Sequence, residues 1–135
     1  MAAGKNRRKD RGMFDELAVA AEIRTAFDAY ELALRSNDVE SLIGFFWDDS
    51  RAVRLMNESG LYGIDEIAEF RNGRPTDDLA RELLRVDVVA FGPDLGVATA
   101  EYRRTGTGRR GAQSQVWMRR PEGWRIVSAH VSLGV

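Results

Sequence analysis

Arg54 stands in the run Arg51-Ala52-Val53-Arg54-Leu55-Met56. Two-residue alternation groups Ala52, Arg54 and Met56 on one face and Val53 and Leu55 on the other. Neither face is cleanly polar, so the guanidinium is expected among apolar neighbours. There it needs an anionic partner, either a protein carboxylate such as Glu58 across the following turn or an anionic ligand. Arg71 and Arg74 are three apart on a helical stretch beside Phe70 and can reach one spot as a second anion-binding fork. The competing reading is an exposed helix end, where cations favour the C-terminal dipole. Tyr30 lies in an apolar helical stripe, so its hydroxyl needs a hydrogen-bond partner, which a ligand, Arg54 or the backbone can supply.

His130 is the single histidine and cannot build a metal site alone. Alternation groups it with Trp124, Ile126, Ser128 and Ser132, a set able to line a polar pocket. His130 there is either a proton-transfer group or a satisfied structural histidine. Gln115 and Trp117 alternate on the neighbouring strand and offer an amide and an aromatic wall, or ordinary cross-strand packing. No cysteine is present, which excludes thiolate chemistry at this site. No phosphate loop, GxGxxG, GxSxG or HExxH occurs either. The chemistry left is acid–base and charge, with no cofactor and no metal expected.

The elements that must position these residues fit one domain of 135 residues, 44% hydrophobic and 30% charged. Of the 20 basic residues, only Lys5 and Lys9 are lysine; the rest are arginine, which grips carboxylates bidentately. Residues 1–12 concentrate five basic residues against Asp10 and read as a solvated tail, with the domain spanning 13–135. The remainder is then net acidic, against a net charge of −1 overall, which argues against nucleic-acid binding. No apolar run matches a membrane span and no signal peptide is evident, so a cytoplasmic location is expected.

From Phe14, the residues Ala20, Ile23, Phe27, Tyr30 and Leu34 recur at helical spacing. Ser36-Asn37-Asp38 breaks this helix, with Asn37 closing it and Asp38 capping a second helix over Val39–Phe46. Arg51–Met56 and Leu61–Tyr62 read as short strands, and a third helix runs from about Ile64 to Arg71, closed by Gly73 and Pro75. Arg81–Phe91, Gly96–Arg104, Gln113–Arg120 and Trp124–Leu133 read as an antiparallel meander joined by hairpin-length turns. The expected class is α+β: three N-terminal helices on the concave face of a curved, mostly antiparallel sheet.

This order of elements resembles the cone of the NTF2-like (SnoaL-like) superfamily. Within it, the chain is similar to the AtzH-like proteins of s-triazine and ureide degradation and to the small proteins named for oxalurate catabolism. The resemblance is carried by Tyr30-Glu31, Ala33-Leu34, Asn37-Asp38, Phe46-Trp47-Asp48, Val53-Arg54, Leu61-Tyr62-Gly63, Phe70-Arg71 with Arg74-Pro75, and Arg81-Glu82-Leu83. It is densest in Gln113-Ser114-Gln115 with Trp117, Gly123-Trp124-Arg125-Ile126-Val127 and Ala129-His130-Val131-Ser132-Leu133. Where these families usually follow the arginine with an aromatic residue and a glycine, this chain has Leu55 and Met56. It also has Gly111-Ala112-Gln113 in place of Gly-Arg-Gln. The first departure bears on which substrate fits.

The resemblance implies a cavity containing Arg54 and a catalytic role for Arg54 and Tyr30; with His130 from the strand alternation, Tyr30, Arg54 and His130 are the catalytic candidates. Trp47, Met56, Phe70, Arg71, Arg74, Gln115, Trp117 and Ser132 are the substrate-binding candidates. It implies a cofactor-independent enzyme on a small carboxylated ureido or carbamate compound; the alternative is a non-catalytic anion-binding module or an accessory partner of an amidase. The expected partners are a small anionic ligand such as a dicarboxylate and a second copy of the chain, met through the outer face of the sheet.

Overall fold

The computed structural model describes residues 14–76 and 79–134; the basic segment 1–12 lies outside the described residues. Helix α1 spans Glu16–Arg35 and starts where the Asp15 carboxylate accepts the amides of Leu17 and Ala18 at 3.0 and 3.1 Å. Its apolar stripe buries Val19, Ile23, Phe27, Tyr30, Ala33 and Leu34. Asn37 takes the expected left-handed conformation, with φ 52°, and Asp38 caps helix α2, Val39–Gly44, by accepting the Ser41 amide. This helix ends two residues before the expected limit. Phe46 instead lies beside Ile126 in an isolated parallel bridge and is buried in the core.

Strands β1 (Val53–Leu55) and β2 (Gly60–Tyr62) form a short antiparallel pair, and helix α3 (Ile64–Gly73) follows them. Among the described residues there are three helices, and the third lies in the middle of the chain rather than at its N-terminal end. Strands β3 (Arg81–Gly92), β4 (Leu95–Arg104), β5 (Arg110–Arg120) and β6 (Gly123–Leu133) complete one six-stranded sheet in the order β2-β1-β6-β5-β4-β3. Every pairing is antiparallel except β1 with β6, which sets Arg54 beside Ala129.

The core fills the concave side, where Ile23, Phe27, Phe46, Ile67, Trp117 and Ile126 are fully buried. A bulge in β6 decides what else faces it. Val116 pairs with Ser128 but Trp117 pairs with Ile126, so Val127 is an extra residue. An inserted residue reverses the alternation beyond it. Ile126 and then Ala129 are buried, whereas Ser128, His130 and Ser132 are exposed. The expected grouping of Ile126 with Ser128, His130 and Ser132 on one face is thus corrected. No described helix is long and apolar enough to cross a membrane.

Candidate functional site

Between α1, α3, β1 and the ends of β4–β6 lies a cavity of about 470 Å³ whose lining includes Tyr30, Arg54, Met56, Phe70, Arg71 and Arg74. Each residue arrives for a local reason. Tyr30 projects from the buried stripe of α1, its ring meeting Phe45 and Phe46 edge-on with centroids 5.9 and 6.3 Å apart. Arg54 points inward because Ala52, Arg54 and Met56 share the concave side of β1, as alternation predicts. Arg71 sits in the last turn of α3. Arg74, expected on the same helix, is instead its C-cap in extended conformation (φ −73°, ψ 134°). The following Pro75 disfavours helical backbone there, and the side chain still reaches the cavity.

The arginines converge on an aromatic ring. The guanidinium carbons of Arg54, Arg74 and Arg71 stand 4.9, 5.6 and 6.0 Å from the Phe70 ring centroid. Arg54 and Arg71 are only 4% and 3% exposed. Among the described residues no carboxylate pairs with any of the three, and Glu58 is exposed rather than turned toward Arg54. Nε and Nη1 of Arg54, Nε and Nη1 of Arg71, and Nη1 of Arg74 are buried without a hydrogen-bond partner. One Arg71 nitrogen, Nη2, donates to the Tyr30 hydroxyl oxygen.

Burial, reinforced by the neighbouring Arg71, pushes the Arg54 pKa down to about 10. Burial, then Arg71 and Arg54, do the same to Arg74, also to about 10. Arg54 and Arg74 both remain cationic at neutral pH. Two buried cations and a half-buried one without anions are unfavourable in isolation and become favourable when an anion enters. Five orphaned N–H-bearing nitrogens form a donor array suited to carboxylate oxygens.

Behind this cluster runs a second, satisfied network that sequence reasoning missed. Arg81 Nε donates to Glu31 Oε1 at 3.1 Å, and Arg81 Nη2 donates to Glu31 Oε2 and to Gln113 Oε1. Gln113 Nε2 returns a 3.3 Å bond to Glu31 Oε2. The Arg81 guanidinium lies 4.2 Å over the Tyr102 ring. Tyr102 in turn crosses above Gly111, its cross-strand partner, and donates to the Ser132 carbonyl at 3.2 Å. Any side chain at position 111 would overlap the Tyr102 ring, so the close approach requires glycine. One signal was available: Glu31 lies four residues after Phe27 and three before Leu34, a carboxylate on a buried helix face that demands a cation.

The remaining candidates lie elsewhere. His130 and Ser132 line a separate trough of about 340 Å³ on the outer face of the sheet, beside Arg85, Asp87 and Glu101. The sheet itself separates them from Tyr30 and Arg54. Gln115 and Trp117 are core residues: the Trp117 indole N–H donates to Gln115 Oε1 at 3.0 Å, and neither lines the cavity. Trp47 lies outside it, with the guanidinium carbons of Arg51 and Arg120 at 4.8 and 5.5 Å from its ring centroid. No group of three or more His, Asp or Glu among the described residues is placed to hold a metal ion.

No curated protein matches the chain. Among solved structures, a protein of unknown function from Pectobacterium atrosepticum is 46% identical with a TM-score of 0.83, covering 87% of this chain and 92% of that one. A cystatin-like fold protein from Burkholderia xenovorans is 35% identical with a TM-score of 0.80, over 86% of this chain and 92% of that one. An NTF2-like superfamily protein from Salmonella enterica shares the fold at 23% identity, with a TM-score of 0.69 over 87% of this chain and 92% of that one. The AtzH-like family model matches residues 13–134, nearly the whole length over which the sheet and the arginine-lined cavity are built. The chain therefore belongs to the AtzH-like family, on an NTF2-like fold.

Proposed function

We propose that the protein is a cofactor-independent enzyme acting on a small carboxylated ureido or carbamate compound, by loss or hydrolysis of its N-carboxylate or C–N bond, in ureide or s-triazine-type nitrogen catabolism. The observation that carries this reading is one cavity in which buried Arg54 and Arg71 and half-buried Arg74, none with a carboxylate partner, share the lining with Tyr30, whose hydroxyl accepts from Arg71. In this reading Arg54 holds the carboxylate that leaves, and Arg71 with Arg74 holds a carboxylate at the other end. Decarboxylation breaks the bond between nitrogen and the carboxylate carbon; the electron pair stays on nitrogen, which must gain a proton, and carbon dioxide departs. Arg71 occupies a lone pair of the Tyr30 oxygen, which leaves the O–H directed at the ligand as general acid. Solvent restores that proton after turnover. His130 and Gln115 take no part, because neither reaches the cavity.

The test is turnover of a small N-carboxylated urea in wild type, Tyr30→Phe and Arg54→Met, followed as release of carbon dioxide and the parent urea for decarboxylation, with ammonia release reporting C–N hydrolysis instead. A loss of about 10²-fold or more in each variant is expected. Near-normal rates in both would overturn the mechanism. Stabilisation of the protein by dicarboxylates with no product formed would assign a binding module, such as an accessory partner of an amidase, in place of an enzyme.

The same reading includes a homodimer through the outer face of the sheet. There Val89, Val97 and Val116 lie in register on adjacent strands, and Val89 and Phe91 are 50% and 64% exposed.

A further inference from the structure

The cavity wall also contains Arg104 and Arg81, and Arg81 differs from Arg54, Arg71 and Arg74 in having a carboxylate counter-ion. Its partner Glu31 is itself 2% exposed and stands behind Arg81, outside the cavity lining. The pair is held from two sides. Gln113 accepts from Arg81 and donates to Glu31, and Tyr102 lies flat beneath the guanidinium. A buried ion pair with all its neighbours satisfied often contributes little net stability compared with an apolar pair of the same volume. Its consequence here is electrostatic: the Arg81 charge in the wall is cancelled, whereas Arg54, Arg71 and Arg74 keep buried nitrogens without a partner.

We propose that Glu31 is a positioning and specificity-determining residue that sets the charge class of the ligand by withholding Arg81 from it. This rests on the reading of the cavity as an anion site. The bidentate grip turns two Arg81 nitrogens, Nε and Nη2, away from the cavity interior, so Glu31 controls both the charge and the direction of the wall's donors. Neutralising Glu31 without changing its shape adds one uncompensated positive charge to the wall. The attraction that charge exerts scales with the ligand's own charge, and at separations within one cavity it amounts to roughly tenfold in affinity per ligand charge. A dianion therefore gains more than a monoanion.

The experiment measures dissociation constants of malonate and propionate, two probes of similar size and different charge, by calorimetric titration. The proteins compared are wild type, Glu31→Gln and the double variant Glu31→Gln/Arg81→Met. In Glu31→Gln the preference for malonate over propionate is expected to rise about tenfold over wild type. In the double variant, whose cavity charge equals that of wild type, it is expected to return to within about twofold of the original value. A merely structural role for Glu31 weakens both probes alike and leaves their ratio unmoved, which would overturn the proposal. If Glu31→Gln fails to fold, the double variant decides: a ratio far from wild type at unchanged net charge also overturns it. Absence of binding by either probe to wild type would instead overturn the anion-site reading itself.

Discussion

Arg54→Met is expected to make the ligand-free protein more stable while removing its grip on anions. Arg54 is buried, its Nε and Nη1 have no partners, and burial with Arg71 nearby lowers its pKa to about 10. That depression corresponds to a penalty of about 3 kcal/mol on the charged form at neutral pH. Methionine fills similar volume without charge, so the penalty disappears. The loss of the cation–π contact with Phe70, worth about 1 kcal/mol, offsets part of the gain. Net stabilisation of about 2 kcal/mol should raise the midpoint of thermal unfolding by roughly 5–10 °C for a domain of this size. Calorimetry of both proteins without added anions measures this directly. The pH dependence follows in sign. Below about pH 10 Arg54 is charged in folded and unfolded chains alike and the full penalty applies. Above it the folded protein releases the Arg54 proton while the unfolded chain still holds it, so the Arg54 contribution to stability improves as pH rises. The advantage of Arg54→Met should therefore narrow between about pH 9 and pH 11. A fall of several degrees in the variant at neutral pH would refute the reasoning, because it would mean that Arg54 is held by a structural ion pair.

Two further outcomes follow from the placement of the other candidates. His130→Ala should leave dicarboxylate affinity within about twofold of wild type, since the side chain lies across the sheet from the cavity; calorimetric titration of malonate checks this. For the proposed homodimer, light scattering at micromolar concentration should give twice the chain mass for wild type. Val97→Lys, which places a charge in the row of Val89 and Val116, should give the monomer mass. A monomeric wild type would overturn that assembly.

Local pattern determined much of this protein. The α1 stripe, the Asn37 closure and the Asp38 cap each follow from one or a few adjacent residues, and each occurs where spacing places it. The inward direction of Arg54 follows the same way, because alternation over Ala52–Met56 acts within a single uninterrupted strand. Arg71 and Arg74 were legible as a pair, although Pro75 rather than a continuous helix directs the second. Tertiary structure decided the rest. The extra residue Val127 reverses the face of every later position in β6, and whether a strand bulges depends on the partner's register rather than on its own composition. That one insertion moved His130 and Ser132 out of the cavity and turned Val131 and Leu133 toward it. The Glu31–Arg81–Gln113 network likewise joins residues 50 and 82 positions apart, a distance over which sequence spacing carries no geometric information. The sequence by itself supplied the arginines and the helix that carries the tyrosine. Only the fold determined which arginines are compensated, because compensation depends on which carboxylate the packed chain brings within reach.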